Sequence, residues 1–214
     1  PEQVIAVPGD LTRTRLGVKP AWVREHQGQI AHFFHLAAIY DLQADAESQH
    51  LSNVEGTRQA LALARALKVD CFHQVSSIAA AGLYEGVFSE DMFEEATGLE
   101  HPYFRTKHES EGLVRRSRGV PWRIYRPGMV VGDSRSGEMD KIDGPYYFFE
   151  ALNTLSDRVP EGFPLLMHKA GLLNIVPVDY VVAAIDHLAH LPDHDRECFH
   201  ITDPAGIRVG DVLR

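Results

Sequence analysis

The sequence is short of the features that mark several classes of protein. It has only two cysteines in 214 residues, Cys71 and Cys198, and each lies in an apolar run. We therefore expect buried thiols in a reducing, cytoplasmic compartment rather than a disulfide framework. No apolar run approaches the roughly 20 residues that cross a bilayer, so no membrane span is expected.

Basic residues are also in short supply. Lys and Arg together number 21 against 30 Asp and Glu, which gives a formal net charge of −9. An acidic chain without a basic cluster argues against nucleic acid or an anionic membrane as the main partner. With 44% hydrophobic residues, the chain has enough apolar material for one globular domain, or slightly more, with a sizeable core.

What the sequence does contain is an alternation of apolar, strand-like runs with helical segments. The predicted strands are 4–7, 30–36, 69–75, 122–125, 172–176 and 198–202, and the predicted helices are 19–27, 48–67, 102–118, 146–155, 177–191 and one that begins at 209. This alternation predicts an α/β fold with a parallel sheet built from right-handed crossovers. Open α/β sheets bind ligands at the carboxyl ends of their strands, so residues at those ends are candidates for a site.

The most informative segment is 101–107, at the start of a predicted helix. Tyr103 and Lys107 are four residues apart and therefore share one helix face. A nearby ammonium favours the phenolate, so we expect Lys107 to lower the pKa of Tyr103 from its usual value of about 10. Such a tyrosine can exchange a proton with an oxygen substrate. A Tyr-x-x-x-Lys pair is common in itself, and the alternative is an incidental pair on a surface helix.

Small and polar residues follow three of the predicted strands. Asp10 follows the first, as a ligand group or as a turn cap. Ala37–Ala38 follow the second, where small side chains either admit a flat ligand or simply pack. Ser76–Ser77 follow the third, as hydrogen-bond donors to a substrate oxygen or as turn residues. Asn53 lies inside the helix 48–67, where an amide either faces solvent or supports the neighbouring strand end.

Taken in order, these motifs resemble the extended short-chain dehydrogenase/reductase family over nearly the whole chain. The motifs are Gly-Asp-Leu-Thr (9–12), His-Leu-Ala-Ala (35–38), Asn-Val-Glu-Gly-Thr (53–57), Val-Ser-Ser (75–77), Tyr-x-x-x-Lys (103–107), Arg-Pro-Gly (126–128) and Val-Pro-Val-Asp-Tyr-Val (176–181). Each is weak alone, whereas their joint occurrence in this order is specific. The segment 141–147 and the aromatic helix that begins there are most similar to the branch of fatty acyl-CoA reductases and thioester reductases.

The resemblance implies a Rossmann-type doubly wound parallel sheet, incomplete at the N-terminus. Its NAD(P)-binding domain would occupy 1–132, and a smaller substrate-binding region, partly interleaved with it, 133–214. The family begins with a strand and a Gly-x-x-Gly-x-x-Gly turn that holds the pyrophosphate, and this sequence has no such turn. We interpret the sequence as a fragment with an exposed sheet edge, and expect the isolated chain to bind the cofactor poorly or not at all.

The resemblance also implies the roles of individual residues. Tyr103 is the general acid/base, Lys107 holds the nicotinamide ribose, and Ser77 polarises the substrate carbonyl, with Ser76 as the alternative. The residues expected at the cofactor are Asp10 and Leu11 at the adenine, Leu36, Ala37 and Ala38 along its backbone, Asn53 in support, Ser76, Tyr103 and Lys107, and Pro127, Gly128 and Val130 near the nicotinamide. The implied reaction is hydride transfer between the nicotinamide and a carbonyl or alcohol carbon.

The implied cofactor is NADP or NAD, with NADP favoured. The implied substrate is an acyl thioester or an aldehyde. Within the family, dimers commonly form through the two helices that correspond to 48–67 and 102–118, so a homodimer is expected. No nucleic-acid partner is expected.

Three other functions stay open at this point. A nucleotide-sugar epimerase or dehydratase needs basic groups for a diphosphate, and those in the C-terminal part are scattered: Arg135, Lys141, Arg158 and Lys169. A 3β-hydroxysteroid-type dehydrogenase is favoured by the segment 76–82. A non-catalytic NAD(P)-sensing or scaffold protein is disfavoured because all three catalytic residues are present.

A metal site is not expected, although the segment 186–195 is rich in His and Asp. His190 and His194 have the spacing of one helix face. Pro192 lies between them and breaks the helix that would align them. A solvated helix end is therefore the favoured interpretation of this segment.

Overall fold

A computed structural model of the chain describes residues 4–40, 44–139 and 172–208. It divides into two compact units. The first unit is Pro1–Arg126 with His187–His200, and the second is Pro127–Asp186 with Ile201–Arg214.

The first unit is built on a four-stranded sheet. Its strands, in order across the sheet, are β1 (His32–His35), β2 (Cys71–Val75), β3 (Trp122–Pro127) and β7 (Glu197–Ile201). β1 pairs with β2 in parallel, and β2 with β3 in parallel, with Phe72 opposite Trp122. The helices lie between the strands in sequence, as right-handed crossovers require. The predicted α/β fold of Rossmann type is confirmed.

The helical segments of the first unit are short and differ in type. They are a 3₁₀ turn (Thr14–Gly17), α1 (Pro20–Glu25), α2 (Ala46–Gln49), a π-helix (His50–Glu55), α3 (Gly56–Leu67), a 3₁₀ turn (Ile78–Ala81) and α4 (Pro102–Arg115). The predicted helix 48–67 is thus three consecutive segments. Asp45 begins it by accepting a hydrogen bond from the Ser48 amide at 2.8 Å, and Lys68, in the left-handed region, ends it.

The hydrophobic core lies on one face of the sheet. Side chains alternate across a strand, so Phe72, Trp122 and Ile124 point to the same side. There they pack with residues of α3 and α4 and of the adjoining turns. The buried members are Val23, Ala60, Leu61, Leu63, Ala64, Leu67, Val69, Phe72, Val114, Val120, Trp122, Ile124 and Cys198.

The opposite face of the sheet carries a polar chain of rings. His32 Nδ1 lies 2.9 Å from His73 Nε2, and His73 Nδ1 lies 2.9 Å from the Tyr125 hydroxyl. Burial lowers the pKa of His73 to about 3, so this ring is neutral at pH 7. Its two nitrogens satisfy their hydrogen bonds within the sheet face.

The predicted strand 4–7 is wrong, since residues 4–10 contain no strand. Val4 and Ile5 are 82% and 79% exposed. A strand requires a neighbouring strand for its backbone hydrogen bonds, and none of the described strands pairs with this segment. The apolar pattern alone therefore does not produce the element.

The second unit contains four short strands. They are β4 (Met129–Val131), paired in parallel with β6 (Ile175–Pro177), and β5 (Leu172–Leu173), paired antiparallel with β8 (Ile207–Arg208). The predicted strand 172–176 is thus split at Asn174, whose side chain exchanges two 3.0 Å hydrogen bonds with the backbone of Asp203. Gly128 is required here, because a Cβ would lie 2.5 Å from the Asn174 carbonyl oxygen.

Helix α5 (Val178–His190) follows β6. Asp179, in its first turn, accepts hydrogen bonds from the amide and hydroxyl of Ser134. Three of the sequence predictions fall outside the described residues: the segment 141–147, the aromatic helix 146–155 and the helix from 209. Among the helices that the structure describes, none is both long and apolar enough to cross a membrane.

Candidate active site

The start of α4 fixes the Tyr-Lys pair. Pro102 occupies the first helical turn, where its missing N–H costs nothing, and His101 Nδ1 accepts a hydrogen bond from the Tyr103 amide at 3.2 Å. Tyr103 and Lys107 follow in the first two turns, on one face. Lys107 is only 6% exposed.

Ser77 meets Tyr103 from the end of β2. Its backbone is extended and begins the 3₁₀ turn Ile78–Ala81, with its hydroxyl oxygen accepting from the Ala79 amide at 3.1 Å. The Ser77 side chain is close enough to the Tyr103 phenol to lower its pKa. The structure therefore brings two of the three predicted catalytic residues together, with the third one helical turn away.

The ionisation of the pair differs from the prediction. Burial raises the pKa of Tyr103, and the neighbouring Ser77 side chain only partly offsets this rise. The expected lowering by Lys107 is not found, because burial disfavours the phenolate and dominates the pKa of this side chain. Burial lowers the pKa of Lys107 to about 8, against the opposing influence of the Glu111 carboxylate. Lys107 is thus still mostly an ammonium at pH 7.

A small cavity lies behind the pair, at the carboxyl ends of β1 and β2. Its volume is about 10 Å³ and its lining residues are His35, Ala37, Ala38, Asn53, Thr57, Gln74, Val75, Lys107 and Ser110. Lys107 Nζ points toward it and lies 3.5 Å from the Val75 carbonyl oxygen. This volume is close to that of one water molecule, so a dinucleotide would lie outside it, along the strand ends.

Asn53 supports this edge of the sheet from within the π-helix. Its side chain accepts from the Ile39 amide at 2.7 Å and donates to the Ile39 carbonyl at 2.9 Å. It also donates to the Thr106 hydroxyl of α4 at 3.1 Å. One amide thereby ties the loop after β1 to the helix that carries Tyr103, and π-helical turns are frequent at such functional sites.

Sequence reasoning gave no role to His35. Its Nε2 lies 2.9 Å from the Thr57 hydroxyl, which itself donates to the Asn53 carbonyl at 2.6 Å. The hydroxyl proton is therefore used, and His35 must be the donor at Nε2. Burial, and secondarily the charge of Lys107, lowers the pKa of His35 to about 4. The only feature of the sequence that pointed to His35 was its place in the motif 35–38.

Ser76 and Ser77 have different environments although they are adjacent. Ser76 is 3% exposed and donates to the Glu111 carboxylate at 2.8 Å. Ser77 is less buried and faces Tyr103. Of the two hydroxyls, that of Ser77 is the one beside the phenol.

The remaining predicted cofactor residues have local roles in the structure. The Asp10 carboxylate accepts from the Thr12 amide and hydroxyl at 2.9 and 2.7 Å, as a turn residue does. Leu11 lies against Gly56, and Leu36 is 65% exposed. Three more belong to the second unit: Pro127, Gly128 and Val130. The cofactor roles of all these residues stay predictions.

The residues present fit one half of a dinucleotide. The groups of the kind that the nicotinamide half needs are the ammonium of Lys107, the small side chains of Ala37 and Ala38 at the strand end, and the hydroxyls of Tyr103 and Ser77. In the described part of the chain, no group of three His, Cys, Asp or Glu residues is arranged to hold a metal ion.

Comparison with known proteins gives consistent matches. Residues 1–185 match an NAD-binding domain family described as male sterility protein. The chain is 28% identical over 218 residues to a linear gramicidin synthase of Brevibacillus parabrevis, covering 99% of this chain and 4% of that protein. It is 30% identical over 218 residues to glycine betaine reductase ATRR of Emericella nidulans, covering 99% of this chain and 17% of that protein.

Among solved structures, the terminal R domain from the myxalamid PKS-NRPS biosynthetic pathway matches with a TM-score of 0.80 and 27% identity. The match covers 94% of this chain and 50% of that chain. This chain thus spans half of that domain, and 4% and 17% of the two curated relatives.

Proposed function

Because this chain belongs to the male sterility protein family of NAD-binding domains, within the extended short-chain dehydrogenases/reductases, we propose that it reduces an acyl thioester or an aldehyde with NAD(P)H. One observation carries the proposal. The Ser77 side chain lies beside the Tyr103 phenol, one helical turn from a buried lysine, at the carboxyl end of a parallel strand. A relative that is named as a reductase supports the same class of reaction.

The cofactor, when bound, supplies the hydride. The residues of the chain then do three things. Ser77 and Tyr103 donate hydrogen bonds to the carbonyl oxygen of the substrate, which polarises it. Tyr103 gives its phenolic proton to that oxygen as negative charge develops there. Lys107 donates to the sugar hydroxyls of the cofactor, and its ammonium stabilises the phenolate that remains.

The high pKa of Tyr103 in the chain by itself suits the acid role. A phenol that holds its proton at pH 7 is ready to donate it in the reducing direction. The oxidising direction requires the phenolate, and burial disfavours it. We therefore propose Tyr103 as the proton donor in the reducing direction.

Three further features are part of the proposal. NADP is preferred to NAD, on the resemblance to acyl reductases. The protein is a homodimer through α3 and α4, on the resemblance to the wider family. It works in the cytoplasm, which the two buried free thiols, Cys71 and Cys198, support. Sedimentation velocity of the purified protein tests the dimer, and NADPH and NADH titrations test the cofactor preference.

The test of function uses the protein in its natural full length. Oxidation of NADPH and NADH is followed with a long-chain acyl-CoA, a fatty aldehyde and a UDP-sugar. Tyr103→Phe should lower kcat by about 100-fold or more, which is typical for loss of a general acid. Tyr180→Phe, at a tyrosine that is 49% exposed, is the matched control and should not change it. Undiminished turnover by Tyr103→Phe, or activity on the sugar nucleotide alone, would overturn the proposal.

A further inference from the structure

Glu111 lies one helical turn beyond Lys107 on the same face of α4, and it is fully buried. Its Oε1 accepts from Arg115 Nε at 2.8 Å and from an Arg126 terminal nitrogen at 2.6 Å. Its Oε2 accepts from Arg126 Nε at 3.1 Å and from the Ser76 hydroxyl at 2.8 Å. Every lone-pair direction of the carboxylate is thus used.

Arg126 extends the connection from the end of β3 to the loop 83–100. It is 1% exposed, and it donates to the carbonyl oxygens of Ser89 and Met92 at 3.4 and 2.9 Å. Its guanidinium lies 5.0 Å from the ring of Phe88. The loop 83–100 follows Ser77 and joins it to α4, so the arginine holds the chain after Ser77, while Glu111 holds Ser76 before it.

A buried ion pair is by itself weak evidence for stability, because desolvating both charges costs about as much as their attraction returns. The location of this pair is more informative. Its carboxylate contacts the residue before Ser77, follows Lys107 by one turn, and holds the strand end beside them. The contacts fix the orientation of two elements that must meet within hydrogen-bond distance.

Glu111 also determines the charge near Lys107. The ionisable groups around Lys107 are Glu111 and Tyr103 on its own helix and His35 on β1. His35 and Tyr103 are neutral at pH 7, since burial lowers the pKa of the first and raises that of the second. Of these groups, the Glu111 carboxylate is the one that raises the pKa of Lys107 and so favours its ammonium form, while Arg115 and Arg126 are directed at the carboxylate.

We propose that Glu111 is a positioning residue of the reductase site, which aligns Ser77 with Tyr103 through Ser76 and Arg126 and places its charge one helical turn from Lys107. The inference rests on the proposed function, since it assigns a role within the same site. The proposed role does not require Glu111 to contact the substrate.

The experiment compares Glu111→Gln with Glu109→Gln in the natural full-length protein. Glu109 lies on the same helix with its side chain 41% exposed, paired with His50 at 3.5 Å. Both variants remove one negative charge and keep the side-chain size. We measure kcat at pH 7, the pH profile of kcat/KM with NADPH, and the hydrogen exchange of the 88–93 backbone amides.

In Glu111→Gln, kcat at pH 7 should fall about 10-fold or more. The pH at which kcat/KM falls on the alkaline side should decrease by about one unit. The variant lacks the nearby negative charge that favours the charged form of Lys107. The 88–93 amides should exchange faster. Glu109→Gln should match the wild type in all three measurements.

A merely structural role for Glu111 predicts a lower melting temperature with an unmoved alkaline limb, and that result would overturn the inference. So would wild-type exchange of the loop. If the wild-type protein binds NADPH but reduces none of the substrates, the proposed function has failed. The pH dependence of NADPH binding then replaces kcat/KM, and the same comparison of variants still decides the role of Glu111.

Discussion

At the scale of the residue, burying the charged side chain of Lys107 lowers the free energy of unfolding of the chain. Its pKa of about 8 in the folded chain lies below its ordinary 10.5. The unfolded chain therefore binds the proton more tightly, and stability rises as pH increases between these two values. At about 1.4 kcal/mol per unit, the full cost below pH 8 is about 3 kcal/mol.

Lys107→Met should therefore be more stable than the wild type at pH 7, by about 1 to 3 kcal/mol, and inactive. The gain should vanish above pH 10.5, where the wild-type amine is neutral in both states. Urea unfolding at pH 7 and at high pH measures the difference in free energy of unfolding between the variant and the wild type. Lys19→Met, at an exposed lysine, is the control and should show no gain. A destabilised Lys107→Met protein would mean that the ammonium is well paired in the fold.

His35 makes the same kind of pH dependence as Lys107, in a lower pH range. Its folded pKa of about 4 is below the ordinary 6.5, so stability is fully present above pH 6.5 and is lost as pH falls toward 4. His35→Gln keeps a donor near Thr57 but cannot take up a proton. It should lose less stability than the wild type between pH 7 and pH 5 in urea titrations. The exposed His50→Gln should behave like the wild type, and equal acid sensitivity of His35→Gln would contradict the assignment.

The predictions from sequence about single residues succeed where the residues concerned are close together in the chain. Spacing on one helix is enough to place Tyr103 and Lys107 on a common face. The pKa of Tyr103 could not be predicted, because it depends on burial under residues from other elements. The partners of Ser76 and His35, namely Glu111 and Thr57, also lie far away in the chain, so only the folded structure identifies them.

At the scale of the element, the turn after β2 depends on Gly82. Its φ is 64°, and a Cβ would overlap the Thr97 carbonyl oxygen. Gly28 has a similar φ of 73° but open space around it. Gly28→Ala should cost about 1 kcal/mol from the left-handed backbone alone. Gly82→Ala should cost about 3 kcal/mol or more, since backbone must move.

Thermal unfolding of the two variants measures this difference. Gly82→Ala should also lower reductase activity, because the displaced turn begins at Ser77. Gly28→Ala should leave activity unchanged. Equal melting temperatures for the two variants would show that the loop 83–100 relaxes without strain.

Helices and strands could be predicted where the apolar pattern of the segment itself specifies the element. The crossover helices and β2 and β3 fall close to their predicted positions for that reason. The π-helix His50–Glu55 was not foreseen, because it is selected by the contacts of Asn53 with Ile39 and Thr106, which the local pattern of apolar residues does not contain. Residues 4–7 have a strand pattern but no described neighbouring strand, so pattern and structure disagree.

At the scale of the whole molecule, the net charge of −9 controls non-specific association. A chain of this charge without a basic patch should not be retained on heparin or shift the mobility of duplex DNA at about 50 mM salt, because phosphate backbones attract Lys and Arg. Heparin chromatography at pH 7 measures this. Retention that a rise in salt removes would indicate a positive surface that composition does not reveal.

The order of the strands affects when the parts of the sheet can form during folding. β1, β2 and β3 pair in parallel, so each pairing joins segments separated by a long crossover, and such non-local contacts form slowly. During synthesis Ser77, Tyr103 and Lys107 all leave the ribosome before Arg126. Until that arginine arrives, Glu111 has only Arg115 to neutralise it, and burying the helix is unfavourable. The nascent chain therefore lacks part of the surroundings of the candidate catalytic residues until the last residues of β3, which include Arg126, have been added.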